Sequence, residues 1–591
     1  MCGIAGFMTI DGRMPPASLI DTLASSLAHR GPDGNGRHLA ASYYLMQTRL
    51  AIIDLVTGDQ PIFAPDGTVV AVNGEIYNHV ELRAQYAGDS FSTRSDCEMP
   101  LHSFRRLGAR FAEPLRGMYA IALFDPKEET LYLSRDRFGQ KPLYYAEVAT
   151  GIIFASEPQA ILKSGLIVPE LSRRAGQELL QLQFTTGRAT AFAGINRVLP
   201  GETMVVQRGR ITGRHFLSAL PDTPPEKIGE EEALERLDAA LMDSVNVHQR
   251  SDVPYGLFFS GGIDSTAILA AMARLNASPV RAFTAGFPGT GVADERAHAR
   301  ALAQRLGAQH TEIEVTEEDF WQTLPLVVSA TDDPAADYAI IPTWHLARAA
   351  ARELKVVLGG EGGDEIFAGY GRYRSVRRPV IFGGRAMRTR GHLDGLGLLR
   401  DESRAWREGI AAAEARAARP GYSRLQAAQA SDCAEWLPND LLIKFDRCLM
   451  AHSMEGRAPF LDPAMTAAGF ALPDHLKIRR GLGKHLLRLW LQRHVPESEP
   501  FAAKRGFTVP VGEWIAHRAD GLGPLVAASA GVSMMCKPEG VLALFARLSG
   551  NAGKHGGMAA WLLLYFALWH KIHIEGVAAR AMPIDEFLRL S

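Results

Sequence analysis

Apolar residues are distributed along this chain in two different ways. In the first third they come in short β-favouring runs closed by turn residues, at 68–72, 119–124, 130–133 and 151–155, and Asp125-Pro126-Lys127-Glu128-Glu129 joins two of them as a hairpin. This pattern predicts antiparallel sheets with a few helices. The segment 220–230 carries Pro221, Pro224 and Pro225 among polar neighbours and reads as a linker. After it, Leu234, Leu237, Leu241 and Val245 lie at helical spacing. A strand at 255–259, a helix from about Ser265, a strand at 280–287, a helix at 297–306, a strand at 311–315, a helix around 343–353 and a strand at 355–358 follow. Such alternation implies a parallel sheet with crossover helices. Beyond about residue 400 the pattern is mainly helical, and the longest apolar run, 558–569, is too short to span a bilayer and reads as a buried helix. The expected division is a first domain over 2–210, a linker over 211–230 and a second domain over 231–591.

Composition narrows the class. A chain of 591 residues needs two or more large cores. Its 64 basic residues offset 65 acidic ones, so no global charge draws it to nucleic acid or to an anionic membrane. The first residues lack a charged region followed by an apolar one, so no secretory signal is expected and the expected compartment is the cytoplasm. Five cysteines without a C-x-x-C pair indicate neither a disulfide framework nor a zinc site. Cys2 differs from the other four. Removal of Met1 would put a thiol and a free α-amine on one residue, and an amine that titrates near neutrality can activate its own side chain as a nucleophile.

Further candidate chemistry lies in loops. Ser260-Gly261-Gly262-Ile263-Asp264-Ser265 sets a glycine turn between an apolar strand and a helix, where backbone NH groups hold phosphate oxygens and Asp264 adds a carboxylate for Mg2+. Gly359-Gly360-Glu361-Gly362-Gly363-Asp364-Glu365 also follows an apolar strand, and loops after parallel strands converge at one sheet edge. Lys444-Phe445-Asp446-Arg447, the segment 455–462, the segment 483–488 and Lys504-Arg505-Gly506-Phe507 read as helix-surface charges and an interdomain salt bridge, with Lys484 able to neutralise a phosphate. The seven arginines of 372–390 read as a solvated, partly flexible face. In the first half, Asn73-Gly74 can supply oxyanion donors, Arg49 a cation for a carboxylate and Asp96 an acid for an ammonium.

This set of segments, with Arg135-Asp136-Arg137-Phe138-Gly139-Gln140-Lys141-Pro142 and Phe154-Ala155-Ser156-Glu157, resembles glutamine-dependent asparagine synthetases of the class II amidotransferases along essentially the whole chain. The resemblance implies an α+β N-terminal Ntn-hydrolase domain, an αββα sandwich, followed by an α/β ATP-pyrophosphatase domain with a helical C-terminal part. In it Cys2 attacks the glutamine amide, Asn73 and Gly74 form the oxyanion hole, and Arg49, Asn73, Glu75 and Asp96 bind glutamine. Ser260, Gly261, Gly262, Asp264, Ser265, Gly360 and Glu361 hold ATP or pyrophosphate, and Asp264 and Asp364 ligate Mg2+. Glu361 serves the incoming ammonia and Lys484 the phosphates. The implied partners are ATP, Mg2+, glutamine and an acceptor carboxylate, with neither nucleic acid nor membrane, and a homodimer is compatible. Gly360 and Gly363 stand where the family's best-known form has serines, which leaves the acceptor open between aspartate and another carboxylate. The segment Asp332-Asp333-Pro334-Ala335-Ala336-Asp337 is expected near that acceptor. A non-catalytic regulatory relative would have lost the nucleophile or the metal carboxylates, and Cys2, Asp264, Glu361 and Asp364 are all present.

Overall fold

The computed structural model describes residues 2–590 apart from 14–15, 293, 379–380, 382–383, 385, 503–507 and 550–552. The first part holds two six-stranded antiparallel sheets. One runs in the order Asn196–Arg197, Tyr144–Val148, Gly151–Ala155, Gly3–Thr9, Tyr43–Arg49, Gly34–Leu39. The other runs Arg210–Phe216, Glu202–Gln207, Thr130–Arg135, Gly117–Asp125, Val69–Ile76, Ile62–Phe63.

Alternation along the strands builds the layers. Ile4 and Met8 face Val69, Ala71, Ala120 and Met204 of the opposite sheet. Ala5 and Phe7 face outward onto Leu19, Ile20 and Leu23 of the helix Ala17–Ser26. Val70 and Val72 in turn face Leu82, Met99 and Leu101 of the helices His79–Gln85 and Met99–Leu107. Both central strands are therefore buried on both faces, which is why their runs are continuously apolar. The result is the expected αββα sandwich. Its last strand, Arg210–Phe216, extends past residue 210. The segment after it is pinned to the second half: Pro221 O accepts from the Tyr422 hydroxyl at 2.7 Å, and the Glu226 NH donates to Ala471 O at 2.8 Å.

The second part is built on a parallel five-stranded sheet, in the order Gln309–Glu314, Arg281–Gly286, Tyr255–Phe258, Val356–Leu358, Glu455–Arg457. The first four strands were legible in the alternation of strands and helices, although Gln309–Glu314 is mostly polar. The fifth has only three residues, two of them charged, and no periodicity can reveal so short an element. The apolar run near the C-terminus belongs to the helix Gly553–His573, buried from Ala559 through Trp569. Among the described residues no helix is long and apolar enough to cross a membrane.

Candidate active site

Cys2 lies just before the central strand Gly3–Thr9 and is 7% exposed. Its NH donates to Asn73 Oδ1 at 3.2 Å. Gly3 pairs with Thr48, which sets Arg49 beside Cys2 at the same sheet edge. Arg49 is engaged there, through Nη1 with Asp59 Oδ1 at 2.8 Å and through Nη2 with the Asp54 carbonyl. The facing strand Val69–Ile76 brings Asn73, Gly74 and Glu75 to this edge. A Cβ on Gly74 would stand 2.0 Å from Met118 O, so only glycine keeps the pairing with Gly117–Asp125. Asp96 accepts from the Ile76 NH at 2.7 Å, which holds it beside Glu75. Burial, then the Asp96 and Glu455 carboxylates, push the Glu75 carboxyl well above its usual range, and Glu75 Oε2 has no hydrogen-bond partner among the described residues. Burial also raises the Cys2 thiol. All six residues expected in the first site, Cys2, Arg49, Asn73, Gly74, Glu75 and Asp96, therefore converge.

Four residues of this pocket were not singled out for it in the sequence. Arg30 Nε donates to Cys2 O at 3.1 Å, and Ser156 Oγ accepts from the Ile4 NH at 2.9 Å and from Asn73 Nδ2 at 3.5 Å. The other two come from the second half. Arg457 pairs with Glu455 at 2.6 Å and reaches Glu75 Oε2 at 3.6 Å. Only the fold brings that strand to the first site.

The second site sits at the carboxyl edge of the parallel sheet. Gly261, at φ 71°, turns the chain from the strand Tyr255–Phe258 into the helix Ile263–Leu275. Ser260 Oγ accepts from the Gly262 NH at 3.2 Å and lies 3.2 Å from Ser265 Oγ, so the two hydroxyls line the turn. Lys484 Nζ binds Asp264 Oδ2 and lies 2.7 Å from Asp364 Oδ1. Burial opposes the charge on Lys484, and the two carboxylates outweigh it, so its pKa rises. Asp264, Asp364 and Lys484 thus meet at one point, and two carboxylates around one cation suit a hard metal ion that takes its remaining ligands from phosphates and water.

The second glycine loop packs directly on the first. A Cβ on Gly363 would stand 2.5 Å from Asp264 Oδ1, and one on Gly360 would stand 3.0 Å from Asp264 Cβ. Both glycines therefore lie against the Asp264 side chain. Glu361 lies 3.9 Å from Lys444 Nζ, which also bonds Asp337 Oδ2 at 3.1 Å. Burial, opposed by Lys444, raises the Glu361 carboxyl, which suits a proton acceptor.

Three stretches depart from their expected settings. Asp332 and Asp333 lie at the interface of the two halves and not at the Glu361 pocket: Asp332 Oδ1 accepts from Arg447 Nε at 2.9 Å, and Asp333 binds Arg197 at 2.6 Å and the Tyr144 hydroxyl at 2.8 Å. Only Asp337 of that segment reaches the pocket. Lys444, Asp446 and Arg447 are on the helix Leu442–Met450 but buried, because Arg30 binds Asp446 through two nitrogens at 2.9 and 3.1 Å while Arg447 reaches Glu157 at 3.3 Å. In the basic stretch, Arg372 bonds Asp432 Oδ2 at 2.7 Å, and Arg388 lies 4.2 Å over the Trp436 ring, so the face is partly an inward-turned cation cluster. Lys504-Arg505-Gly506-Phe507 lies outside the described residues.

The sequence profile described as asparagine synthase matches residues 236–571, and that described as a glutamine amidotransferase domain matches residues 1–217. Glutamine-hydrolyzing asparagine synthetase 1 of Bacillus subtilis (strain 168) is 30% identical, with 99% of this chain and 98% of the relative aligned. Glutamine-hydrolyzing asparagine synthetase 2 of the same organism is 28% identical over 84% of this chain and 70% of its own. The amidase chyE of Penicillium rubens is 33% identical over 64% of this chain and 60% of its own length. The full-length relative, the two profile matches in order and the two sites described above agree: this chain belongs to the asparagine synthase family and carries a glutamine amidotransferase domain ahead of its synthase domain.

Proposed function

We propose that this protein is a cytoplasmic glutamine-dependent asparagine synthetase. The observation that carries the reading is the convergence, within one chain of this family, of Cys2 with Asn73, Gly74 and Glu75 and of Asp264 with Asp364 and Lys484.

At the first site the Cys2 sulfur attacks the side-chain carbonyl carbon of glutamine. The Asn73 side-chain NH2 and the Gly74 NH take the charge that develops on oxygen. Arg49 exchanges its present partners for the glutamine carboxylate, and Asp96 with Glu75 receives the ammonium. Ammonia leaves, and water releases glutamate from the thioester. At the second site ATP binds with its phosphates over Ser260, Gly261, Gly262 and Ser265, beside Gly360 and Glu361. Asp264 and Asp364 would hold Mg2+, which supplies positive charge to the phosphates, and Lys484 turns from them to the same oxygens. The side-chain carboxylate of aspartate attacks the α-phosphorus, expelling pyrophosphate. Ammonia then attacks the acyl carbon, Glu361 takes the proton and AMP departs. Exclusion of water keeps the ammonia neutral between the sites.

Pyrophosphate release on addition of ATP and aspartate, against a panel of other carboxylates, tests the reading. Aspartate is expected to give the highest turnover, and no aspartate-dependent pyrophosphate would sink it. Glu361→Gln is expected to lower amide formation by about 10²–10⁴-fold with either glutamine or ammonium as nitrogen source, the usual contribution of a positioned base. Unchanged synthesis would remove Glu361 from the mechanism.

A further inference from the structure

One carboxylate near Glu361 has no role in the steps above. Asp440 lies in the π-helical segment Asp432–Leu441, which continues directly into the helix Leu442–Met450 that carries Lys444. The Asp440 side chain is 0% exposed, and neither of its carboxylate oxygens has a hydrogen-bond partner among the described residues. A buried carboxylate left in that condition is costly unless a ligand completes it.

The charges facing it are Asp337, Lys444, Arg388 and Glu361. Lys444 is already shared between Asp337 at 3.1 Å and Glu361 at 3.9 Å. Arg388 bonds Asp432 Oδ1 at 3.3 Å and stacks on Trp436. Among the described residues three carboxylates therefore share one lysine, with Arg388 turned to Asp432. Burial, reinforced by Asp337, pushes the Asp440 carboxyl well above its usual range.

We propose that Asp440 binds the α-ammonium group of the acceptor amino acid and so makes the synthetase site select an acceptor that bears an amine. This rests on the synthetase reading above. Two sources could supply such a group, the acceptor and the ammonium ion that serves as nitrogen donor. The Glu361–Lys444–Asp337 cluster gives the ammonia its own contacts, which assigns Asp440 to the acceptor.

The test compares aspartate with succinate, its analogue without the amine, in wild type, Asp440→Asn and Asp440→Glu, with ammonium as nitrogen source. Truncating one partner of a buried charge pair predicts a rise of about 30–1,000-fold in the KM for aspartate for Asp440→Asn. The kcat is expected to stay within about threefold, because the contact forms equally in ground and transition states. Succinate kinetics should not change, so discrimination between the two acceptors collapses, and Asp440→Glu should recover part of it. Glutamine hydrolysis at Cys2 reports that each variant has folded. An aspartate KM that does not move, an equal loss with both acceptors, or a raised KM for ammonium in place of aspartate would each overturn the proposal. If the wild type ignores aspartate and uses another amine-bearing carboxylate, the asparagine reading falls, while the same comparison with that acceptor and its des-amino form still decides Asp440. An acceptor without an amine overturns both.

Discussion

Replacing Cys2 by alanine is expected to abolish glutamine-dependent amide formation while synthesis from added ammonium continues. In the proposed mechanism the thiol forms the acyl intermediate, so its loss removes the covalent route and lowers glutaminase turnover by about three orders of magnitude or more. The ammonium-dependent reaction survives because the parallel-sheet site is built from other elements: the turn 260–265, the loop 359–365 and Lys484. Steady-state kinetics with the two nitrogen sources measure this directly. Equal loss with both would contradict two separable sites. Intact mass gives an independent check, because a retained Met1 would leave Cys2 without the free amine that activates it.

The second large effect is expected at the interface. Asp446→Ala takes two contacts from the fully buried Arg30 guanidinium and leaves it Glu157, at 2.8 Å from Nη1, as its carboxylate partner. Removing one partner of a buried pair costs about 3–5 kcal/mol, because the remaining charge keeps its desolvation penalty. Arg30 and Lys141 hold the Asp446 carboxyl below its ordinary value despite burial. The stabilisation is therefore complete above the unfolded value and is lost only as the pH falls through the depressed native one. Arg30 also holds the Cys2 carbonyl, so glutamine turnover should fall together with stability. Thermal unfolding of the variant at neutral pH measures the first effect. The double variant Arg30→Met with Asp446→Leu should regain most of the stability without the glutaminase, since replacing both charges by apolar groups removes the unmet desolvation cost. A single variant as stable as the wild type would refute the argument.

The expectations that held were those with a local physical cause. A glycine turn between strand and helix can be recognised because its neighbours in sequence are its neighbours in space, and the two glycine turns after parallel strands were found that way. Asn73 and Gly74 were singled out by their donor chemistry, and the strand that carries them with Glu75 runs to Ile76, beyond the expected end at Val72. Charges whose partners are remote in the chain were misread. Asp446 and Arg447 were read as helix-surface charges with an interdomain salt bridge; the bridges are present, but they bury the charges, through Arg30, 416 residues from Asp446, and Glu157, 290 residues from Arg447. Asp332 and Asp333, expected near the acceptor, are instead bound by Arg447 and Arg197. Arg372 and Arg388 looked solvated because no acid adjoins them in sequence, and Asp432 supplies one from another helix.

The three-residue strand Glu455–Arg457 has a consequence for recombination. Its neighbour Val356–Leu358 leads into the loop that carries Glu361, while Arg457 itself reaches Glu75 in the other half. A chimera that takes its first 216 residues from a different amidotransferase would import a nucleophile and leave part of that nucleophile's surroundings behind. The incoming half must offer an acid where Glu75 meets Arg457 and a base where Arg30 meets Asp446. Exchangeable cassettes in this protein are therefore bounded by matched charge pairs across the seam, and the proline-rich segment between the halves is not where a successful crossover is decided.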